Sequence, residues 1–209
     1  MGALKSHAIV KTHELALKGK NRPWFMRKLT DNLRTATKGA GVERVWQGQL
    51  MVGLTLEDED CWPEVKSRLK DVFGVAKFYK AYDLPQDLDG LKARLPELLE
   101  GRSFETFRIT TNRADKRFPL NSEEVNRDLG AFVKDLTGAQ VKLKDPDLSI
   151  YLDIQTKGFL VYFDEVKAHG GLPVGVSGKV AVMLSGGIDS PVAAWQMMKR
   201  GCQAMFVHF

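Results

Sequence analysis

A chain of 209 residues that is 44% hydrophobic and 27% charged has the make-up of a soluble globular protein, with room for a sizeable core and more than one domain. Its two cysteines, Cys61 and Cys202, lie far apart and outside any CxxC pair, which argues against a disulfide framework or a zinc site and for a reducing, cytoplasmic setting. No apolar run is long enough to span a bilayer, no cleavable apolar signal opens the chain, and the net charge of +5 is modest, so that its distribution says more than its total.

The first block, about residues 1–60, predicts a strand over His7–Thr12, a basic loop and a helix from about Pro23 to Lys38. Two strands follow, around Arg44–Trp46 and Gln49–Leu56. The helix carries Phe25, Leu29 and Leu33 at helical spacing and is punctuated by Gly39 and Gly41. This pattern describes a small α+β unit. Between Leu15 and Thr30 stand Lys18, Lys20, Arg22, Arg27 and Lys28 with no acid among them, a local patch suited to a polyanion. His13 beside Glu14 reads as a surface or packing pair. Trp24, Trp46, Trp62 and Trp195 read as core residues or partly buried anchors.

The second block, about 61–168, predicts a helix near Pro63–Lys70, a strand Val75–Tyr82, a helix near Leu88–Leu99 and a strand Thr106–Thr111. A further helix near Glu123–Thr137 is opened by Asn121 with Glu124 three residues on, which fits a capping box. Strands Val141–Leu143, Ile150–Gln155 and Phe159–Phe163 close the block, the last two as a hairpin through Thr156-Lys157-Gly158. Mixed strands and helices make this an α/β or α+β module. Arg113, Lys116 and Arg117 flank Asp115 just after the Thr106–Thr111 strand and are placed to meet phosphates. Phe118 beside them serves equally as a stacking platform for an unpaired base or as core.

Residues 169–178 hold four glycines and a proline in ten positions and read as a domain linker. The third block, 179–209, is a strand Val180–Leu184, a loop, a helix Pro191–Lys199 and a second strand Ala204–Val207. Three elements cannot cover both faces of a doubly wound sheet, so this block is expected to be the start of a larger domain.

The chemistry concentrates in that third block. Val180-Ala181-Val182-Met183-Leu184 runs into Ser185-Gly186-Gly187-Ile188-Asp189-Ser190 and then Pro191. Gly186 and Gly187 can adopt positive φ and let backbone N–H groups approach an anion with no Cβ in the way. Ser190 is expected as the N-cap with Pro191 as first helical residue, so that the helix points its free donors and positive dipole end at the loop. Hydroxyls of Ser185 and Ser190 add donors. No Gly-Lys-Ser/Thr closes the loop, which excludes a Walker A site. The plainer reading is that Asp189 and Ser190 merely cap a helix.

The loop resembles the SGGxDS loop of the PP-loop ATP pyrophosphatases, which bind ATP, cleave between its α- and β-phosphates and adenylate a substrate. That resemblance implies ATP and Mg2+, with Asp189 on the magnesium or pyrophosphate side because a lone carboxylate among phosphates needs a cation between them. It implies that Met183 and Leu184, with Ser185, Gly186, Gly187, Asp189 and Ser190, line the nucleotide, and that His208 and Phe209 meet the adenosine.

Taken with Glu14-Leu15-Ala16-Leu17-Lys18-Gly19-Lys20-Asn21-Arg22, Arg113-Ala114-Asp115-Lys116-Arg117-Phe118 and Gly171-Leu172-Pro173-Val174-Gly175, the whole chain resembles the ThiI family of tRNA 4-thiouridine synthetases and thiamine-biosynthesis sulfurtransferases. The resemblance implies a multidomain α/β and α+β fold: a ferredoxin-like domain (1–60), a THUMP RNA-binding domain (61–168), a linker, and the truncated start of a Rossmann-like PP-loop domain of the adenine nucleotide alpha hydrolase type (179–209). It implies a reaction in which the uridine at position eight of tRNA is adenylated at its C4 oxygen and persulfide sulfur then displaces AMP. Implied partners are tRNA, a cysteine desulfurase as sulfur donor and the carrier protein ThiS, with a homodimer also expected. The family's catalytic cysteine lies in regions this chain does not contain, Cys202 reads as a buried small residue, and the fragment alone is expected to be inactive. Two other readings stay open: a noncatalytic tRNA-binding THUMP module, and a different PP-loop adenylating synthetase.

Overall fold

The computed structural model describes residues 4–48 and 50–208. It divides into two compact units, one formed by His7–Tyr79 with the residues from Glu165 onward, the other by Lys80–Asp164 with the start of the chain through Ser6.

The first unit opens with strand β1 (Lys5–Lys11) and two short 3-10 turns, Glu14–Leu17 and Gly19–Asn21, that lead into helix α1 (Arg22–Ala36). Strands β2 (Val42–Gln47) and β3 (Met51–Leu56), helix α2 (Trp62–Lys70) and strand β4 (Lys77–Leu84) follow. β3 pairs antiparallel with β1, Ile9 opposite Gly53, and with β2 on its other side, Trp46 opposite Gly53. β4 lies beside β1, giving the order β2-β3-β1-β4. A β-α-β-β-α-β chain in that order is the ferredoxin-like fold.

Its core explains why both helices form. α1 turns Met26, Leu29 and Leu33 inward at helical spacing, and α2 does the same with Val65 and Leu69. These meet Val10, Val52, Leu54 and Phe78 in one buried cluster. The block boundary expected near residue 60 falls inside this unit, because α2 and Phe78 share the core of α1 rather than that of the second block.

The second unit takes up β4 from Lys80 and adds helix α3 (Leu88–Leu99), strand β5 (Thr106–Arg113), helix α4 (Ser122–Thr137) and strands β6 (Gln140–Val141), β7 (Leu148–Gln155) and β8 (Gly158–Tyr162). Strand order here is β4-β8-β7-β5-β6, with β5 parallel to β6 and β7 and the other pairs antiparallel. Phe107, Leu129, Ile150, Leu152 and Phe159 form the centre of a second buried cluster.

The predicted capping box is present: the Asn121 side chain accepts from the Glu123 and Glu124 N–H groups, and the Glu124 carboxylate accepts from the Asn121 N–H at 2.7 Å. The strand expected over Val141–Leu143 stops early. Arg108 Nη1 donates to the Leu143 carbonyl at 3.1 Å, so that acceptor is taken by a side chain instead of a ladder.

The chain then re-enters the first unit. Strand β9 (Val166–Lys167) pairs antiparallel with the start of β4, and residues 169–178 form an ordered strap. Gly74 N–H donates to the Gly170 carbonyl (2.8 Å) and Gly170 N–H to that of Val75 (2.7 Å). Leu172 is buried in the α1/α2 core, and Asn32 Nδ2 on α1 donates to the Val174 carbonyl at 3.1 Å. Strand β10 (Lys179–Leu184), helix α5 (Asp189–Lys199) and strand β11 (Gln203–His208) follow, with β10 and β11 parallel. The strap holds the end of α5 through Leu172 N–H to the Lys199 carbonyl (2.9 Å) and Gly175 N–H to that of Gly201 (2.8 Å). Cys202 is buried as expected, its Sγ 3.7 Å from the Ser177 carbonyl.

Gly170 and Gly171 both have positive φ, +66° and +79°, but differ in surroundings. A Cβ at Gly170 meets open space, whereas one at Gly171 falls 2.3 Å from the Lys199 carbonyl oxygen. Gly170→Ala should therefore cost only the left-handed penalty, roughly 1 kcal/mol. Gly171→Ala should lose about 1–3 kcal/mol more, as an overpacked contact does. Urea unfolding of the two variants side by side checks this; equal losses would contradict the strap geometry.

Candidate functional site

Parallel pairing of β10 with β11 puts Leu184 opposite His208, so both strands end on one side, and His208 Nδ1 lies 3.1 Å from the Leu184 carbonyl. The loop 185–188 leaves from this end and leads into α5. Ligand sites of parallel α/β sheets sit at such carboxyl ends. Met183, Ser185, Gly186, Gly187, Asp189 and His208 are exposed there, and Leu184 and Ser190 are half-buried. Phe209, the last residue expected at the nucleotide, lies outside the described residues.

Two details of the loop differ from expectation. α5 begins at Asp189, with Ile188 at the cap position and no side-chain cap bond, so Ser190 is not the N-cap and Pro191 is the third helical residue. The Ser190 hydroxyl instead turns back and accepts the Ser185 N–H at 3.3 Å, with the two hydroxyl oxygens 3.4 Å apart. Pro191 is tolerated because a first-turn N–H has no partner within the helix. Neither Gly186 nor Gly187 takes a positive φ. Ser185 Oγ accepts the Gly187 N–H at 3.3 Å, which holds the loop without a left-handed residue.

The loop nonetheless fits a phosphate group. A Cβ at Gly186 would meet nothing within 4 Å, so the glycine relieves no contact within the chain and leaves its outer face bare for a ligand. Two hydroxyls and the N-terminal turn of an eleven-residue helix converge beside it. Asp189 offers one exposed carboxylate for a cation shared with phosphates. Among the described residues no group of three or more His, Cys, Asp or Glu side chains is placed to hold a metal by itself.

The basic residues separate into exposed charges and charges engaged within the chain. Lys20 and Arg27 are exposed. Arg22 Nη2 donates to the Ala16 carbonyl at 3.0 Å and pins the first 3-10 turn to α1. Lys18 Nζ sits over the Phe25 ring, 5.1 Å from its centroid, and the stem of Lys28 runs along Gly175 of the strap.

In the second unit Lys116 is exposed, while Arg113 Nη2 donates to the Lys116 and Phe118 carbonyls (2.9 and 3.1 Å) and so shapes its own loop. Arg117 grips Asp115 in a two-point contact, Nε to Oδ1 at 3.0 Å and Nη2 to Oδ2 at 2.9 Å. Phe118 is half-buried and stands edge-on to buried Phe159 at 5.6 Å, which favours its core role.

Sequence reasoning missed a cleft of about 580 Å3 lined by His13, Lys77, Glu165, Lys167 and His169, in which Lys77 is already paired with Glu165 at 2.6 Å. Of the thiols, Cys61 donates to Asp58 Oδ1 at 3.0 Å, and that carboxylate pushes the thiol up. A raised thiol is a poor nucleophile, and Cys202 is buried.

Three family models match successive parts of the chain: the ThiI ferredoxin-like domain over residues 7–79, the THUMP domain over 85–164, and the thiamine biosynthesis protein (ThiI) over 175–209. A relative from Thermus thermophilus named "Probable tRNA sulfurtransferase" is 48% identical over 199 residues, covering 94% of this chain and 48% of the relative. One of the same name from Caldanaerobacter subterraneus subsp. tengcongensis is 40% identical, covering 99% and 54%. The chain spans about half the length of the curated relatives it matches.

Among solved structures, a 4-thiouridine synthetase in complex with RNA and bound ATP matches with a TM-score of 0.85 at 32% identity, covering 99% of this chain and 53% of that one. A Pyrococcus horikoshii protein matches with a TM-score of 0.83 at 25% identity, covering 97% and 69%. Fold and loop thus define a ferredoxin-like and THUMP chain that runs into a PP-loop segment. It belongs to the ThiI family.

The Asp115–Arg117 contact yields a pH prediction. The guanidinium and backbone N–H of Arg117 hold the Asp115 carboxyl down to about 2, against an ordinary 3.8. A depressed carboxyl contributes stability that is fully present above 3.8 and is lost as pH falls through about 2. Carboxyl-carbon NMR should find Asp115 titrating near 2 in the wild type and moving up towards 3.8 in Arg117→Ala. An unchanged value in the variant would contradict the contact.

Proposed function

We propose that the complete protein is an ATP-dependent tRNA sulfurtransferase that makes 4-thiouridine at position eight of tRNA, and that this chain supplies its RNA-holding part and its phosphate loop. The observation that carries this reading is the joining, in one chain, of a THUMP unit with a loop whose bare glycine face, paired serines and helix N-terminus suit a phosphate. Relatives named tRNA sulfurtransferases and the likeness to an RNA- and ATP-bound 4-thiouridine synthetase support it.

In this reading Ser185, Gly186, Gly187 and Ser190 bind the phosphates of ATP, and Asp189 shares Mg2+ with them. Met183 and Leu184 line the nucleotide beside the loop, and His208 meets the adenosine. ATP supplies the adenylyl group that makes the uracil C4 oxygen a leaving group. Lys20, Arg27 and Lys116 meet tRNA phosphates directly, while Lys18, Arg22, Lys28, Arg113 and Arg117 add field and hold the surfaces in shape.

Neither described thiol is suited to carry sulfur, which supports a relay on parts of the protein beyond this chain. The chain alone is then a tRNA-binding fragment without turnover. A cysteine desulfurase delivers sulfur to the complete enzyme, ThiS is a second acceptor, the enzyme works as a homodimer, and it is cytoplasmic. No helix among the described residues is long and apolar enough to cross a membrane.

Titration of this chain with bulk tRNA across a salt series tests the reading. Wild type should bind with a steep loss of affinity as salt rises. A Lys20→Glu, Arg27→Glu double variant should bind more weakly, with a log–log slope shallower by roughly one per phosphate contact removed. No binding at low salt would contradict it.

A further inference from the structure

On the stretch that carries the first basic set, two large apolar side chains stand in solvent: Leu17 is 87% and Trp24 is 46% exposed. Their exposure follows from the geometry of α1. The buried stripe is Met26, Leu29 and Leu33, and Trp24 precedes Met26 by two residues, about 200° around the helix. Trp24 therefore sits on the face opposite the core.

What surrounds it is ordered and cationic. Trp24 stands edge-on to Phe25 with centroids 5.0 Å apart, and Lys18 Nζ lies over that same Phe25 ring at 5.1 Å. The Arg22 bond to the Ala16 carbonyl fixes the turn bearing Leu17 and Lys18 against the start of the helix. Exposed Arg27 lies one turn on from Trp24, on the same face, and exposed Lys20 lies in the second 3-10 turn. Between Leu15 and Thr30 there is no carboxylate, and Asp31, one turn beyond Arg27, is paired with Arg34 at 2.8 Å.

We infer that this surface, Leu17, Lys18, Lys20, Trp24 and Arg27, holds an unpaired stretch of RNA, with a base stacked on the Trp24 indole and the cations on the backbone beside it. Rings set among cations are how proteins grip single strands: phosphates meet the cations and the flat faces of unstacked bases meet the rings. A paired base keeps its face inside the duplex stack, so the platform selects unpaired nucleotides. A protein partner of ordinary composition would present carboxylates to the cations but needs a larger apolar area than one indole and one leucine. The inference rests on the reading of the protein as RNA-binding, and assigns a contact that the basic residues alone do not supply.

The test compares the whole chain with its Trp24→Ala, Trp24→Phe and Lys20→Ala variants. Binding by fluorescence anisotropy is read for a single-stranded RNA oligonucleotide and for a blunt-ended RNA duplex of equal length, each across a salt series. Trp24→Ala should weaken single-strand binding about ten- to a hundredfold, leave the salt slope unchanged and spare the duplex. Trp24→Phe should keep most of the affinity. Lys20→Ala should instead flatten the salt slope on both RNAs.

Single-strand binding by Trp24→Ala equal to wild type would overturn the inference while leaving the RNA-binding reading in place. An equal loss on single strand and duplex would also overturn it, as would a Trp24→Ala effect confined to self-association seen by sedimentation, since the occupant would then be a second copy. Failure of the wild type to bind either RNA would overturn both.

Discussion

The strap from His169 to Gly178 is the constraint on which the placement of everything after it depends. Its backbone groups are spent in two directions, on Gly74 and Val75 at one end and on Lys199 and Gly201 at the other. Leu172 anchors it in the same core as Leu29, Leu33, Val65 and Leu69. The ring of Trp195 on α5 packs edge-on against Phe73 at 5.4 Å and against His169 of the strap at 5.5 Å, with Lys199 Nζ over its face at 4.9 Å. The helix that follows the loop 185–188 is thus held at its other end by the ferredoxin-like unit. A helix fixed at its C-terminus presents its N-terminal donors in one direction, which is what a preorganised anion site requires.

The cations show a division of labour. Arg22, Arg113 and Arg117 bind carbonyls or a carboxylate of their own loops, where planar guanidinium donors suit fixed geometry. Lys20 and Lys116, compact charges on flexible stems, are exposed. In these two basic sets the arginines other than Arg27 are spent on their own loops, and Lys20, Lys116 and Arg27 stand exposed. Charge reversal at Arg22, Arg113 or Arg117 therefore breaks a contact within the chain, whereas charge reversal at Lys20 or Lys116 changes an exposed charge.

Much of this was legible in the sequence, for local reasons. The capping box at Asn121, the inward stripe of α1, the hairpin of β7 and β8 and the strand–loop–helix around Ser185 each follow from neighbouring residues alone. What was not legible depended on distant ones. The assignment of α2 to the first core required knowing that Val65 and Leu69 meet Leu33 and Val52. The linker reading of 169–178 described composition correctly but gave no sign that its glycines are crossing points, since Lys199 is 28 positions away from Gly171. The turn of the Ser190 hydroxyl towards Ser185 depends on loop closure, and local propensity favoured a cap instead. Trp24, read as core or a partly buried anchor, is 46% exposed, and it is the direction of the buried stripe that places it on the outer face of α1.

The proposed role of the loop after β10, ATP cleavage between the α- and β-phosphates on behalf of a tRNA, is read most directly in the nucleotide products. The measurement follows the nucleotide products of the complete enzyme incubated with ATP and a persulfide sulfur donor, with and without tRNA. AMP and pyrophosphate appearing only when tRNA is present is the result the account predicts. ADP and phosphate as products, or AMP release indifferent to tRNA, would contradict it.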